Sequence, residues 1–258
     1  MSANLEPSVL GVRITPGTHT ELLTSLSDHL CHAQNMWHMA TANPEYVMFA
    51  RRDPAFAAAL GEAAIVTVDG VGLALAMRLL HPNVAIERYT GVTLTTDLAE
   101  LSADSGAGIF LLGAGPGIAT QAAVKLAEHA PGVVISGVWD GGTPQPIHDA
   151  ESIDRIVASG ARIVLVAYGA PAQIHWIQRN LAALDQSGVL IVAGIGGAFD
   201  YLSGNTPWAP AIVRRFGLEW LYRLVREPWR WRRQLVLPQF VLLTMLEFAR
   251  TKLRGNVE

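Results

Sequence analysis

Residues 161–177, ARIVLVAYGAPAQIHWI, join a strand pattern to a helical pattern through a short turn. ARIVLVAYG (161–169) is a nearly continuous apolar run, which is typical of a strand that is covered on both faces. The residues that follow, 171–184, have the periodicity of a helix. A covered strand that leads directly into a helix indicates a parallel α/β sheet.

The same alternation extends along the chain on both sides of this segment. Strand patterns also occur at 9–14, 37–41, 64–68, 108–113, 132–138 and 188–196, and helical patterns at 18–34, 71–80, 91–104, 116–130 and 149–159. The sequence therefore predicts an α/β fold for residues 1–204, with a Rossmann-like parallel sheet sandwiched by helices. The pattern after Gly204 is helical throughout, so residues 205–258 are predicted to form a C-terminal basic helical appendage.

The predicted appendage differs from the rest of the chain in charge. Residues 214–254 contain nine arginines and one lysine against three glutamates, a net charge of +7; since the whole chain carries −3, the remainder carries −10. Tryptophans interleave with the basic residues in EWLYRLVREPWRW (219–231). Basic side chains with interfacial Trp favour an anionic membrane surface as partner, and so much Leu, Val and Trp argues against nucleic acid. The alternative is a helix that packs on the acidic body through ion pairs.

Polar or glycine-rich sequence follows five of the predicted strands. These exits are TANPE (41–45), DGVG (69–72), GAGPG (113–117), GAPAQ (169–173) and GIGGAFDYLSG (194–204). Ligands of an open α/β sheet bind beyond the carboxyl ends of its strands. All five exits are therefore expected on one edge of the sheet, which makes that edge the candidate site.

Asp69 stands where a predicted strand meets a predicted helix, and two interpretations of it are open. An aspartate here is a good helix N-cap, because its carboxylate accepts a backbone N–H two or three residues later. Gly70 and Gly72 leave room beside the carboxylate, however, and Thr41 and Asn43 are expected at a neighbouring strand exit. In such a cleft the carboxylate can serve as a general base toward a hydroxyl.

The loop that begins at Gly113, GAGPG, indicates either a phosphate site or a tight turn. Glycines at a strand exit let the backbone approach a phosphate at the following helix N-terminus. With Asp140 as a ribose-binding acid, the loop also resembles a dinucleotide fingerprint, although Pro116 and Ala119 depart from that pattern. An NAD-dependent Rossmann-type oxidoreductase is therefore the alternative function; it leaves the basic, Trp-rich appendage unexplained. A non-catalytic membrane-binding module is a third class, and it leaves the polar strand exits unexplained.

GIGGAFDYLSG is the most distinctive stretch and suits a nucleoside pocket. Gly196 and Gly197 admit a phosphate, Phe199 or Tyr201 is expected to pack on a base, and Asp200 is expected to accept ribose hydroxyls. The alternative is a glycine-rich loop with two core aromatics.

Two further polar residues are candidate ligand contacts. Gln173 is placed to hydrogen-bond a sugar or phosphate, unless it is a solvated first-turn residue. Arg88 is suited to bind diphosphate oxygens bidentately, unless it forms an ion pair with Glu87 or another acid. The eight histidines and the single Cys31 show no metal-ligand spacing, so neither a metal nor a cofactor is predicted.

Seven motifs in order resemble the WecG/TagA/CpsF glycosyltransferases, over residues from about 9 to 240. The motifs are TANPEYVMFARRDPAF, VTVDGVGLALAMRLL, ERYTGVTL, FLLGAGPGIA, VAYGAPAQIHWI, GIGGAFDYLSG and GLEWLYRLVREPWRWRRQLVLP. The chain departs from the family pattern at Ala42, Ala172 and Ile174, where a Pro, a Lys and a Glu are common.

The resemblance implies a bacterial, inverting, metal-independent glycosyltransferase. Its substrates would be a UDP-sugar donor, with N-acetylmannosamine the best-known sugar, and a polyprenyl-diphosphate-linked sugar acceptor. The enzyme would be cytoplasmic and peripheral on the inner face of the cell membrane, and would act in teichoic acid, common antigen or exopolysaccharide synthesis. A homo-oligomer is compatible with this expectation.

The resemblance also implies roles for individual residues. It makes Asp69 the catalytic base. Residues implied to bind the acceptor or a diphosphate are Thr41, Asn43, Arg88, Arg223, Arg230 and Arg233. Residues implied to bind the UDP-sugar are Gln173, Gly196, Gly197 and Asp200.

Overall fold

The computed structural model describes residues 6–33, 35–140, 142–210, 212–213, 218–226, 228, 231 and 235–255. Its strands are β1 (Ser8–Val9), β2 (Val12–Arg13), β3 (Trp37–Ala42), β4 (Ile65–Val68), β5 (Ile109–Gly113), β6 (Ile135–Trp139), β7 (Ile163–Ala167) and β8 (Ile191–Gly194). Its helices are α1 (His19–His32), α2 (Pro44–Ala50), α3 (Pro54–Gly61), α4 (Val71–Leu80), α5 (Gly91–Ser105), α6 (Ile118–His129), α7 (Asp149–Ser159), α8 (Ala172–Gln186), α9 (Ala198–Leu202), α10 (Glu219–Arg226) and α11 (Val236–Gly255). A 3-10 helix covers Pro146–His148.

Six strands form one sheet in the order β4-β3-β8-β7-β5-β6, and each neighbouring pair is parallel. Successive side chains of a strand point to opposite faces, and in β7 both faces are buried: Leu165 packs with α1, α5 and α6, whereas Val164 and Val166 pack with α7 and α8. Helices thus cover the sheet on both sides, which confirms the predicted α/β class. Because all six strands run the same way, their carboxyl ends lie on one edge.

The predicted strand at 9–14 is instead a hairpin outside the main sheet. β1 and β2 pair antiparallel through Val9 and Val12. The two residues between them, Leu10 and Gly11, have φ angles of 50° and 85°, which is the left-handed conformation that two-residue hairpin turns require. An apolar run that contains a single glycine does not reveal this turn, so the prediction of one continuous strand was wrong.

The C-terminal segment, by which we mean residues 205–258, packs on the sheet domain through α11. This helix lies against α2 and α4, and the Phe240 ring is buried with their apolar side chains. Among the described residues, two side-chain hydrogen bonds join α11 to the rest of the chain: Leu10 N donates to Glu247 Oε2 at 2.9 Å, and Arg52 Nη2 donates to Gln239 Oε1 at 2.5 Å. In the part of the chain that the structure describes, no helix has the length and apolarity to cross a membrane.

Candidate active site

A cavity of about 740 Å³ lies over the carboxyl ends of four neighbouring strands. The exits of β4, β3, β8 and β7 form its floor, and residues of α10 and α11 form its far wall. The exit of β5, which includes Gly113, lies on the same edge but does not line this cavity. The predicted strand exits therefore lie on one edge of the sheet, as expected, and the cavity covers four of them.

Asp69 lies on the cavity floor and does not cap the helix that follows it. The N-cap of α4 is Gly70, with φ of 100°, and no side chain bonds to the first turn. The Asp69 backbone N–H donates to Ala42 O at 2.6 Å, which fixes the residue between β3 and β4. Its carboxylate Oδ2 instead faces Gly91 N at 3.5 Å, at the start of α5. Of the two interpretations of Asp69, the helix cap is thus the one that the geometry does not support.

Position 91 requires a glycine, because the start of α5 packs tightly against the exit of β8. A Cβ atom built on Gly91 would lie 2.4 Å from the backbone oxygen of Ile195, at the exit of β8. That separation is far too short for a real contact. The backbone N–H at this helix N-terminus therefore points at a carboxylate inside the cavity, next to the loop of Gly196.

The surroundings of Asp69 change its acidity. Burial raises the pKa of the Asp69 carboxyl from 3.8 to about 6, and the negative charge of Glu219 acts in the same direction. The nearby positive charges of Arg88 and Arg223 and the Gly91 N–H act against it. A carboxylate with a pKa near 6 is a better proton acceptor than an ordinary aspartate and is still ionised at neutral pH.

Arg88 reaches the cavity because its backbone extends the sheet beside β4. Residue 88 forms a parallel bridge with Val68, and Tyr89 N donates to Val68 O at 2.9 Å. The Arg88 guanidinium Nη2 lies 2.6 Å from Glu219 Oε2 of α10. The predicted ion pair of Arg88 therefore exists, but its partner comes from the C-terminal segment and not from Glu87.

Arg223 also lines the cavity, one helical turn after Glu219. Its guanidinium carbon lies 5.1 Å from the centroid of the Tyr201 ring, within the range of a cation–π contact. The other two predicted arginines, Arg230 and Arg233, lie outside the described residues.

Thr41 and Asn43 line the cavity and also hold the loops beside it. Thr41 Oγ1 donates to Gly194 O at 3.1 Å, so it ties β3 to the exit of β8. Asn43 Oδ1 accepts from Tyr46 N at 3.2 Å as the N-cap of α2. Their predicted contacts with an acceptor stay predictions.

Gln173 lies beneath the cavity, with its side chain fully buried. Its Oε1 accepts from Gly169 N at 3.1 Å and from Gly196 N at 3.0 Å, and its Nε2 donates to the Tyr46 hydroxyl at 2.5 Å. The amide therefore joins the exits of β7 and β8 to α2. In this arrangement Gln173 shapes the cavity floor; its predicted direct contact with a sugar stays a prediction.

The loop after β8 contributes four of its predicted residues to the cavity: Gly196, Gly197, Asp200 and Tyr201. Phe199, by contrast, is fully buried in the hydrophobic core and does not line the cavity. A base contact through Phe199 would require its ring to leave the core. Tyr201 is the aromatic residue of this loop that faces the cavity, and Trp208 lies beside it with ring centroids 4.8 Å apart.

The GAGPG loop is closed by a protein carboxylate. Asp140, which follows β6, accepts a hydrogen bond from Gly117 N at the start of α6. One oxygen of the Asp140 carboxylate is therefore bound to the backbone of the protein itself. The dinucleotide interpretation therefore loses the support of Asp140, whereas the predicted ligand contact of Gly113 stays a prediction.

Sequence reasoning missed Glu219 as a site residue. Its only local signal is its position four residues before Arg223, the spacing that puts two side chains on one face of a helix. Its partner Arg88 is 131 residues away in the chain, and that separation hides the ion pair from any local pattern. Glu45, Trp208 and Trp220 also line the cavity and were not predicted there.

The fold and the cavity define a Rossmann-like α/β protein whose candidate active site lies where such folds bind their ligands. A sequence model of the glycosyl transferase WecG/TagA/CpsF family matches residues 7–254. The chain belongs to this family.

Two curated relatives are similar to most of the chain. One is an N-acetylglucosaminyldiphosphoundecaprenol N-acetyl-beta-D-mannosaminyltransferase of Bacillus spizizenii, 33% identical over 203 residues, which are 79% of this chain and 76% of the relative. A protein of the same name from Bacillus subtilis is 32% identical over 209 residues, 81% of this chain and 79% of the relative.

Proposed function

We propose that the protein transfers a sugar, N-acetylmannosamine or a close analogue, from a UDP-sugar to a sugar on a polyprenyl diphosphate. The family and the activity for which the two relatives are named support the reaction class and the acceptor. The observation that carries the proposal is Asp69: its carboxylate lies in a cavity that Arg88 and Arg223 also line, and burial raises its pKa to about 6.

In the proposed reaction Asp69 is the general base. Its carboxylate takes the proton of an acceptor hydroxyl as that oxygen attacks C1 of the donor sugar. The bond from C1 to the UDP oxygen breaks on the opposite face, so a single displacement inverts the configuration. Proton transfer by a positioned side chain contributes on the order of 10²–10⁴-fold to a rate.

The departing diphosphate gains negative charge in this reaction, and the cavity holds groups that stabilise it. Arg88 and Arg223 line the cavity with their guanidinium groups, which bind phosphate oxygens in a planar, bidentate manner. We assign the loop of Gly196, Gly197 and Asp200 to the donor, with Tyr201 in place of Phe199 as the aromatic contact. Hydrogen-bond donors that are held in place, such as these guanidinium groups, stabilise a developing anion without reorganising.

We further propose that the C-terminal segment lies on the anionic inner face of the bacterial membrane, where a polyprenyl acceptor resides. Apolar side chains with more than two fifths of their surface exposed occur along α10 and α11; they are Trp220, Leu221, Val225, Val241, Leu242, Met245, Leu246 and Leu253. The segment 214–254 is also strongly basic. Apolar and basic side chains together favour an interfacial position.

A transfer assay tests the proposed function. The donors are UDP-N-acetylmannosamine, UDP-N-acetylglucosamine, UDP-glucose and UDP-glucuronic acid, and the acceptor is N-acetylglucosamine on a short-chain lipid diphosphate. We expect transfer from UDP-N-acetylmannosamine and a loss of about 10²–10⁴-fold in Asp69→Asn. The control is Asp154→Asn, on the exposed side of α7, which should match the wild type.

Two results would contradict the proposal. Transfer by Asp69→Asn at the wild-type rate would remove Asp69 as the base. Thermal stabilisation by NAD but not by UDP would favour the oxidoreductase alternative.

A further inference from the structure

An ion pair between described residues connects the two parts of the chain that form the cavity. Arg88 comes from the edge of the sheet, and Glu219 is the first residue of α10. The pair is 2.6 Å long, and the two side chains are 32% and 25% exposed. Both residues line the cavity together with Asp69, so the contact belongs to the site and not to the outer surface.

The ion pair leaves most of the Arg88 guanidinium available. Glu219 contacts Nη2, and among the described residues it is the only side-chain partner of that guanidinium. A guanidinium has five N–H donors in a fixed fork. Glu219 therefore occupies one side of the Arg88 guanidinium, and its other N–H donors can bind a ligand oxygen.

The same ion pair also fixes the helix that carries Arg223. Glu219 and Arg223 are four residues apart in α10, which places them on the same face of the helix. A contact that holds Glu219 at the cavity therefore holds Arg223 there as well. One pair thus organises both of the described arginines that line the cavity.

Building on the function proposed above, we propose that Glu219 is a positioning residue for the transfer reaction. Its carboxylate orients Arg88 toward the substrate diphosphate, sets Arg223 at the cavity, and offsets the positive charge of both arginines at Asp69.

The third part of this role is electrostatic. Two arginines beside a catalytic carboxylate weaken it as a base, because positive charge favours its ionised form. Glu219 acts on Asp69 in the opposite direction. The other titratable side chains that line the cavity are Glu45, Tyr46, Tyr168, Asp200, Tyr201 and Tyr222. None of these appears among the causes that shift Asp69, so Glu219 is the acid whose removal should be felt there.

Substitution of Glu219 tests the proposal, with Glu247 as the matched control. Glu247 is also a glutamate of the C-terminal segment that bonds to the sheet domain, through Leu10 N at 2.9 Å, but it does not line the cavity. The variants are Glu219→Gln, Glu219→Ala, Glu219→Asp and Glu247→Gln in the full chain. The measurements are kcat, KM for each substrate and the pH dependence of kcat/KM, with the donor that the wild type uses.

We expect Glu219→Gln to lower kcat by about tenfold and Glu219→Ala by up to roughly a hundredfold, since small displacements of catalytic groups have effects of this size. The acid limb of the kcat/KM profile should move to lower pH in both, because Asp69 loses a neighbouring negative charge. Glu219→Asp should retain more activity than Glu219→Ala and keep the wild-type acid limb. Glu247→Gln should leave both the rate and the limb unchanged.

Four outcomes would overturn the proposal. An unchanged acid limb in Glu219→Gln would remove the electrostatic role, and equal losses in Glu219→Gln and Glu247→Gln would make Glu219 an ordinary docking contact. Faster transfer with tighter UDP binding in Glu219→Gln would mean that Glu219 competes with the diphosphate for Arg88. If the wild type transfers no sugar, the proposed function and with it the positioning role fail. A ¹³C NMR titration of the Asp69 carboxyl in the wild type and Glu219→Gln then decides separately whether Glu219 acts on Asp69.

Discussion

The sheet domain and the C-terminal segment contribute differently to one cavity. The sheet domain supplies Asp69, Thr41 and the loop at Gly196, each held by a hydrogen bond at a strand exit. The C-terminal segment supplies Glu219 and Arg223 from a short helix in which no described residue is buried. The position of Asp69, the proposed base, is thus fixed by the fold, whereas part of the charge around it depends on how α10 packs against the sheet domain.

The two regions also differ in what stabilises them. The strands are held by parallel hydrogen bonding and by apolar packing on both faces. The segment is held through the buried Phe240, the Arg88–Glu219 pair and the bonds of Gln239 and Glu247. Because α10 exposes both charged and apolar side chains, its packing against the sheet domain should depend more on salt and on a nearby membrane than the packing of the sheet does.

Arg223→Gln is the strongest test of this comparison. If the segment completes the site, loss of this guanidinium should lower kcat by about 10²–10³-fold. This is the usual effect of losing one hydrogen-bond donor that stabilises a developing anion. The transfer assay measures it. Arg226→Gln is the control, because Arg226 is on the same helix but stacks on Tyr222, 5.5 Å from the ring centroid, and does not line the cavity. Equal losses in the two variants would show that only the charge of the segment matters.

A double substitution on α11 tests the membrane role of the segment. Leu242 and Leu246 are 60% and 44% exposed, and burial of each in an interface is worth about 1.5 kcal/mol. Changing both to Gln should weaken binding to vesicles that contain anionic lipid by roughly a hundredfold. Sedimentation with vesicles measures the effect.

The control for the vesicle experiment is in the sheet domain. Val157 on α7 is 53% exposed, so Val157→Gln removes an exposed apolar side chain from the other region. It should not change vesicle binding. A similar loss in Val157→Gln would mean that the whole surface, and not the C-terminal segment, contacts the membrane.

The sheet and its functional edge could be predicted because their signals are local. A strand such as Ile163–Ala167 is buried on both faces and is therefore apolar at every position, and parallel strands place their exits together. The position of Asp69 at this edge could be predicted on the same basis, whereas its role as the base stays a prediction. The Leu10–Gly11 hairpin could not, since an apolar run looks the same with and without a two-residue turn.

The parts of the site that sequence missed depend on distant contacts or on side-chain direction. Glu219 meets Arg88 across 131 residues. Phe199 and Tyr201 are two residues apart in a short helix, and only the structure distinguishes the ring in the core from the ring at the cavity. Gln173 was expected to face a ligand, and its bonds to Gly169 and Gly196 depend on the close approach of two strand exits.

Gln173→Ala tests how strongly the sheet domain fixes the site. The change removes three hydrogen bonds of a fully buried side chain and leaves the N–H groups of Gly169 and Gly196 without that acceptor. At about 1–3 kcal/mol for each of the two unsatisfied N–H groups and roughly 2–4 °C per kcal/mol, Tm should fall by about 4–24 °C. Scanning calorimetry measures this, and the exposed Gln121→Ala on α6 is the control. A Tm equal to that of the control would mean that the Gln173 bonds do not hold the loops.

Asp69→Asn should raise the stability of the protein while it removes activity, with the smallest effect of the four. Burial raises the pKa of Asp69 from 3.8 to about 6, so the folded chain holds this proton more tightly than the unfolded chain does. The destabilisation from ionising Asp69 is therefore absent below about pH 4, grows between pH 4 and 6, and is complete above pH 6. Asn cannot ionise, so Tm should rise by about 2–4 °C at pH 7.5 and should not rise at pH 3.5.

Asp154→Asn should change Tm little at either pH. A gain of equal size at both pH values would show that the stabilisation does not come from the buried charge, and the assignment of Asp69 as a base of raised pKa would lose its support.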